Sequence, residues 1–130
     1  MCGFCGLIQS KKIASDHDFD RVIVSMREKL THRGPDQSGK WVDKEAGVYL
    51  GHCRLSVIDL SDNGRQPMLS SCGNYVITYN GEVYNYLELR EELSREGYSF
   101  SGRSDTEVVL AACIIWGVRN AVERMIGMFA

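Results

Sequence analysis

The chain begins Met1-Cys2-Gly3-Phe4-Cys5-Gly6. A cysteine directly after the initiator methionine is small enough for that methionine to be removed. The new first residue then carries a thiol and a free α-amine on one carbon, a nucleophile with its own base. The ordinary pKa of such an amine is about 7.7–8.0, so a good fraction is unprotonated near neutrality. It can accept the thiol proton directly or through one water, as N-terminal threonine nucleophiles do. Cys2 and Cys5 also spell C-x-x-C, which binds zinc or runs disulfide exchange elsewhere. A redox C-x-x-C follows a strand and opens a helix, and no residues precede this pair to make that strand. Zinc would need two more ligands. His52, Cys53 and Cys72 are available, but no second pair has finger spacing. Cys5 reads as a small core residue on a strand.

Three other fragments carry candidate chemistry. Tyr79-Asn80-Gly81-Glu82 holds an Asn-Gly pair, the strongest short-range hairpin signal. The helical sequence that follows leaves little room for a return strand. The alternative is a strand end whose Asn amide and Gly N–H point at one spot, as in an oxyanion hole. Arg54 lies in a strand-like run, where arginine is usually an exposed or ion-paired residue unless an anionic ligand is near. Asp105 opens a helix, where a carboxylate commonly caps or complements the dipole. His17, His32 and His52 have no partner at metal or triad spacing and receive no catalytic role.

Positioning these residues requires elements. Gly3 to Ile8 reads as a buried strand and Lys11 to Ser15 as a polar turn. Phe19, Val22, Ile23, Met26 and Leu30 fall on one helical face. Asp16, Asp18 and Asp20 sit where the dipole favours anions. His32-Arg33-Gly34-Pro35 looks like that helix's end, with a glycine cap. Gly47 to Ile58 reads as a strand, Asp59 to Pro67 as a polar loop, and Asn74 to Tyr79 as a second strand. Asn85 to Gly97 is a helix that Asn85 can cap, and Tyr98 to Phe100 a brief extended piece. Ser104-Asp105-Thr106-Glu107 is a capping box before a helix over Val108 to Trp116, apolar almost all round and hence buried. A short helix over Asn120 to Ile126 precedes the closing GMFA. Strands followed by helices and strand-like sequence argue for an α+β layered domain.

At 130 residues the chain has room for one domain with a real core. Its net charge of −2, without a basic stripe, makes nucleic acid and anionic membrane poor partners. No apolar stretch approaches the ~20 residues of a membrane span, and the N-terminus lacks the pattern of a secretory signal. Five cysteines without framework spacing read as reduced thiols of a cytoplasmic protein.

Taken in order, MCGFCG, HRGPDQSG, GHCRLSVIDL with QPM, YNGEVYNYLELREEL, SGRSDTEVVL and GMFA change the odds. Together they closely resemble the N-terminal glutaminase domain of glutamine-hydrolysing asparagine synthetases. These are class II glutamine amidotransferases within the N-terminal nucleophile hydrolases. The resemblance covers residues 1–130 as a single domain and implies a four-layer α-β-β-α sandwich. It implies Cys2 as nucleophile and Asn80 and Gly81 as oxyanion donors. Arg54 would hold the α-carboxylate of L-glutamine, Asp105 its α-ammonium, and Leu55, Ser56, Val57, Ile58 and Glu82 would complete the pocket.

No metal or cofactor is expected in this domain. ATP and magnesium belong to a synthetase domain, whose S-G-G-x-D-S motif is missing here. Relatives usually carry an aliphatic or small residue where Cys5 stands. Family domains also continue past GMFA, so an incomplete sandwich with an open edge, and dimerisation through that edge, are expected. The rival readings are a catalytically incomplete fragment acting in assembly, and a Cys/His zinc or redox module.

Overall fold

The computed structural model describes residues 2–9 and 18–130. The polar turn expected over 11–15, Asp16 and His17 lie outside the described residues. The described residues form four α-helices and three small antiparallel sheets, an α+β arrangement. The first sheet contains β1 (Gly3–Ile8), β2 (Gln37–Asp43) and β3 (Val48–Arg54), in the order β1-β3-β2. Cys53 on the central strand pairs with Gly3 on one side and Ser38 on the other. Helix α1 (Phe19–Glu28) lies on this sheet and buries Ile23 completely. Asp18 caps it, accepting from the Arg21 N–H at 3.3 Å.

Two local expectations change here. β2 carries no clear alternation and had no assignment from sequence. It is a strand because its backbone pairs with β3 along its whole length, and tertiary pairing outweighs weak propensity. Helix α1 ends at Glu28, and a 3-10 turn over Thr31–Arg33 follows before Gly34. Gly34 is extended, with φ −155°, so it is no left-handed cap. Glycine is required because a side chain there would overlap the Cys53 carbonyl.

The second half is built on a different core. β4 (Met68–Leu69) pairs with β5 (Val76–Ile77), a shorter hairpin than the strand expected over Asn74 to Tyr79. β6 (Gly81–Val83) pairs with β7 (Gly127–Phe129), with Gly81 opposite Phe129 and Val83 opposite Gly127. The Asn80-Gly81 corner is therefore not a hairpin turn. The chain runs straight through it, and its partner strand arrives from the far end of the sequence. Tyr79, Val83, Leu89, Leu93 and Val108 share one buried cluster. This cluster fixes α2 (Tyr86–Arg95), α3 (Asp105–Trp116) and α4 (Val118–Arg124) around β6.

Capping also departs from the sequence reading. Ser104 Oγ accepts from the Glu107 N–H at 3.3 Å, as a capping box requires. The Glu107 carboxylate instead takes the N–H groups of Ser101 and Gly102, each at 2.7 Å. Asn85 does not cap α2 with its side chain. It accepts from Ile126 N–H and donates to the Arg124 carbonyl, both at 2.9 Å, and so ties the end of α4 to the start of α2. Gly97, at φ +95°, ends α2 in a conformation that glycine adopts without strain. Tyr98 to Phe100 is not a strand; its two aromatic rings pack 4.7 Å apart beside α3.

Candidate active site

A cavity of about 370 Å³ opens between the first sheet and the β6–β7 pair. Cys2, Arg54, Asn80, Gly81, Glu82 and Asp105 all line it. Leu55, Val57 and Ile58 line it too. Ser56 does not; its N–H donates to Asp36 Oδ2 at 2.7 Å, outside the cavity.

Cys2 precedes β1 and is held from two sides. Its Sγ accepts from the Leu55 N–H at 3.3 Å, and its carbonyl accepts from Arg33 Nε at 3.0 Å. The Cys5 thiol is on the opposite face of β1, next to the Gly51 carbonyl and the α1 side. Side chains alternate along a strand, so the two thiols of C-x-x-C point to different faces. All five cysteines are free. Burial, reinforced by Cys53, pushes the Cys5 thiol up from its ordinary range.

Arg54 is the last residue of β3, and its side chain is buried. Nη1 donates to Gln37 Oε1 at 2.7 Å and to the Ser61 carbonyl at 2.9 Å, while Nη2 donates to the Asp59 carbonyl. Three of the five donors of a guanidinium are thus spent on orientation. The 3-10 turn over Asp62–Gly64 closes over the group, and a side chain at Gly64 would overlap Nη2. Asp59 braces the same loop through Ser61 and the Arg103 N–H. Burial pushes its carboxyl up, but these hydrogen bonds, with the Arg54 charge, hold it below its ordinary range.

The Asn80-Gly81 corner follows from strand register. Asn80 and Ala130 exchange both backbone hydrogen bonds, each at 2.9 Å. In an antiparallel ladder such pairs alternate with pairs whose N–H and C=O groups point outward. Gly81, opposite Phe129, is the next pair, so its N–H turns away from β7. Val83 faces the same way, and its N–H donates to Asp105 Oδ2 at 3.2 Å. One strand edge therefore presents an N–H at Gly81 and a carboxylate beside Val83, about 7 Å further along. That is the scale of a short amino-acid side chain.

Asp105 is the first residue of α3, but its carboxylate reaches across to β6. Tyr79 Oη also donates to Oδ2, at 3.2 Å. Burial raises the Asp105 carboxyl above its ordinary range, and these hydrogen bonds partly offset the rise. Burial and the Asp105 charge push the Tyr79 phenol far up, so it stays a donor. Tyr79, Gln66, Asp59, Gln37 and Gly64 had no functional reading from sequence. Nothing local marks them, since each acts by holding a residue distant in the chain. Among the described residues no group of three His, Cys, Asp or Glu side chains is placed to hold a metal.

The family model for the glutamine amidotransferase domain matches residues 1–130. The chain belongs to that family. Asparagine synthetase [glutamine-hydrolyzing] 1 of Bacillus subtilis (strain 168) is 43% identical over 130 residues, covering 100% of this chain. Asparagine synthetase [glutamine-hydrolyzing] 3 of the same organism is 41% identical over 134 residues, again across the whole chain. Amidase chry2 of Gibberella zeae is 35% identical over 137 residues. This glutamine amidotransferase domain spans only 20% of the length of each of these relatives.

Proposed function

We propose that the chain hydrolyses the side-chain amide of L-glutamine to glutamate and ammonia, with Cys2 as N-terminal nucleophile. One observation carries this reading. A buried guanidinium and a buried carboxylate face the same cavity as the Cys2 thiol and the outward N–H of Gly81. Opposite charges at fixed separation recognise an amino acid by its two ends. Arg54 takes the α-carboxylate, which suits a planar guanidinium, and Asp105 takes the α-ammonium. The side chain then extends along the β6 edge towards Gly81 and Cys2.

Removal of Met1 frees the Cys2 amine, which accepts the thiol proton. The thiolate attacks the amide carbon: a C–S bond forms, the C=O π pair moves onto oxygen, and the carbon becomes tetrahedral with its C–N bond still intact. The Asn80 side-chain amide and Gly81 N–H stabilise that oxygen. The α-ammonium of Cys2 returns its proton to nitrogen, ammonia leaves, and a γ-glutamyl thioester remains. Water, deprotonated by the same amine, attacks the thioester. Glutamate departs and the thiol is restored. Leu55, Val57, Ile58 and Glu82 wall the substrate, and Ser56 supports them from outside. Losing one oxyanion donor costs on the order of 10²–10³ in rate.

In this reading the first sheet and the β6–β7 pair are the inner layers of a four-layer α-β-β-α sandwich, with α1 outside one and α2 and α3 outside the other. The whole protein is a cytoplasmic asparagine synthetase-type enzyme whose separate domain uses ATP and magnesium to activate a carboxylate and receives the ammonia. The resemblance to the synthetases names aspartate as that acceptor. Self-association through a sheet edge belongs to the same reading, and light scattering at high concentration tests it. The direct test of the domain is glutamate release from glutamine by Met1-free protein. Steady turnover that disappears in Cys2→Ala supports the reading; turnover surviving that change overturns it.

A further inference from the structure

Tyr79 immediately precedes Asn80, yet buried side chains, not a neighbouring strand, hold its backbone. Its N–H donates to Gln66 Oε1 at 2.7 Å, and its carbonyl lies 3.1 Å from His52 Nε2. Gln66 is itself braced, donating from Nε2 to Thr106 Oγ1 at 3.3 Å. His52 Nδ1 has no partner among the described residues. The neutral ring with its proton on Nε2 is therefore the form that satisfies the Tyr79 carbonyl. The Tyr79 hydroxyl then reaches Asp105 Oδ2. One immobilised residue thus touches the carboxylate at one end of the cavity and leads into the Asn80-Gly81 corner at the other.

We propose that Tyr79 is a positioning residue whose hydroxyl aims Asp105 at the α-ammonium of the substrate and so sets the preference for α-amino amides. The proposal rests on the glutaminase reading. With Oδ2 fixed by both the Val83 N–H and the phenol, the carboxyl group cannot turn without breaking a hydrogen bond. Burial favours the neutral acid, which attracts an ammonium poorly, and the phenol opposes this by stabilising the anion. Tyr79 as a whole is 4% exposed, which limits replacement of the hydroxyl by water.

The test is Tyr79→Phe in Met1-free protein, assayed with glutamine and with its analogue bearing hydrogen in place of the α-amine. The KM for glutamine should rise about three- to tenfold, with kcat within about twofold. Inhibition by the des-amino analogue should not change, because it makes no use of Asp105. Equal weakening of both ligands, or of neither, overturns the proposal. On an Asp105→Ala background the same substitution should add nothing; an undiminished effect there also overturns it. If the unmutated protein shows no turnover, the glutaminase reading fails instead. The Asp105 carboxyl titration by 13C NMR then decides the link: a move to higher pH in Tyr79→Phe supports it, and an unmoved titration overturns it.

Discussion

At the scale of single residues, the site depends on charges held by protein rather than by solvent. Arg54 shows this most directly, because the loop carbonyls of Asp59 and Ser61 fix its plane. A lysine cannot reproduce that fork. Arg54→Lys should raise the KM for glutamine roughly ten- to a hundredfold, the size of a lost charged hydrogen bond, as measured by steady-state kinetics. Gly64→Ala acts on the same group from the turn that closes over it, since its new methyl would overlap Nη2. It should raise KM by about tenfold while leaving the acylation chemistry intact. Asp105 adds a pH signature. Burial makes its carboxyl take up a proton at higher pH than an ordinary aspartate in the ligand-free protein, so KM should climb as pH falls. Asp105→Asn should start with a high KM and show less of this acid dependence.

At the scale of elements, β3 and the segment through Tyr79 meet at His52, which is fully buried. Burial holds the His52 ring below the ordinary histidine value of 6.5. As pH falls through that value, the unfolded chain binds a proton that folded His52 refuses. Stability attributable to this site is therefore present above 6.5 and lost on acidification. His52→Gln keeps a donor but cannot titrate. Its melting temperature should fall less than the unmutated protein's between pH 7 and pH 5, as calorimetry at the two pH values would show. Much of the element pattern was legible in the sequence. The helical stripe from Phe19 follows from local periodicity, and α3 and the β1 strand from their apolar runs, although β1 is not buried as expected: Phe4 and Ile8 are exposed. What was not legible depended on distant partners. β2 exists because β3 lies beside it, and the Asn80-Gly81 corner is a strand start because β7 returns to pair there. The site shows the same division. Cys2, Arg54, Asn80, Gly81 and Asp105 came from residue type and family resemblance. Tyr79, Gln66 and Gly64 act through tertiary contacts that no short window contains.

At the scale of the whole molecule, the start of the chain meets a cavity built from both halves of the domain. Among the described residues no helix is long and apolar enough to cross a membrane. The terminus must supply both sulfur and an unblocked amine. A peptide extension ahead of Cys2 should therefore abolish hydrolysis while leaving the melting temperature unchanged, as glutamate release and calorimetry on the same sample would show. Cys72 provides an internal control for reactivity. It is exposed, and the Ser70 hydroxyl beside it lowers its thiol pKa, so simple alkylating agents should modify it readily. A glutamine-shaped electrophile should choose differently, because only one thiol shares a cavity with Arg54 and Asp105. The most direct measurement is mass spectrometry of Met1-free protein after treatment with a glutamine-like diazoketone, followed by peptide mapping. The account predicts a single adduct on Cys2 that excess glutamine prevents; an unmodified Cys2, or labelling of Cys72 that glutamine does not affect, would contradict it.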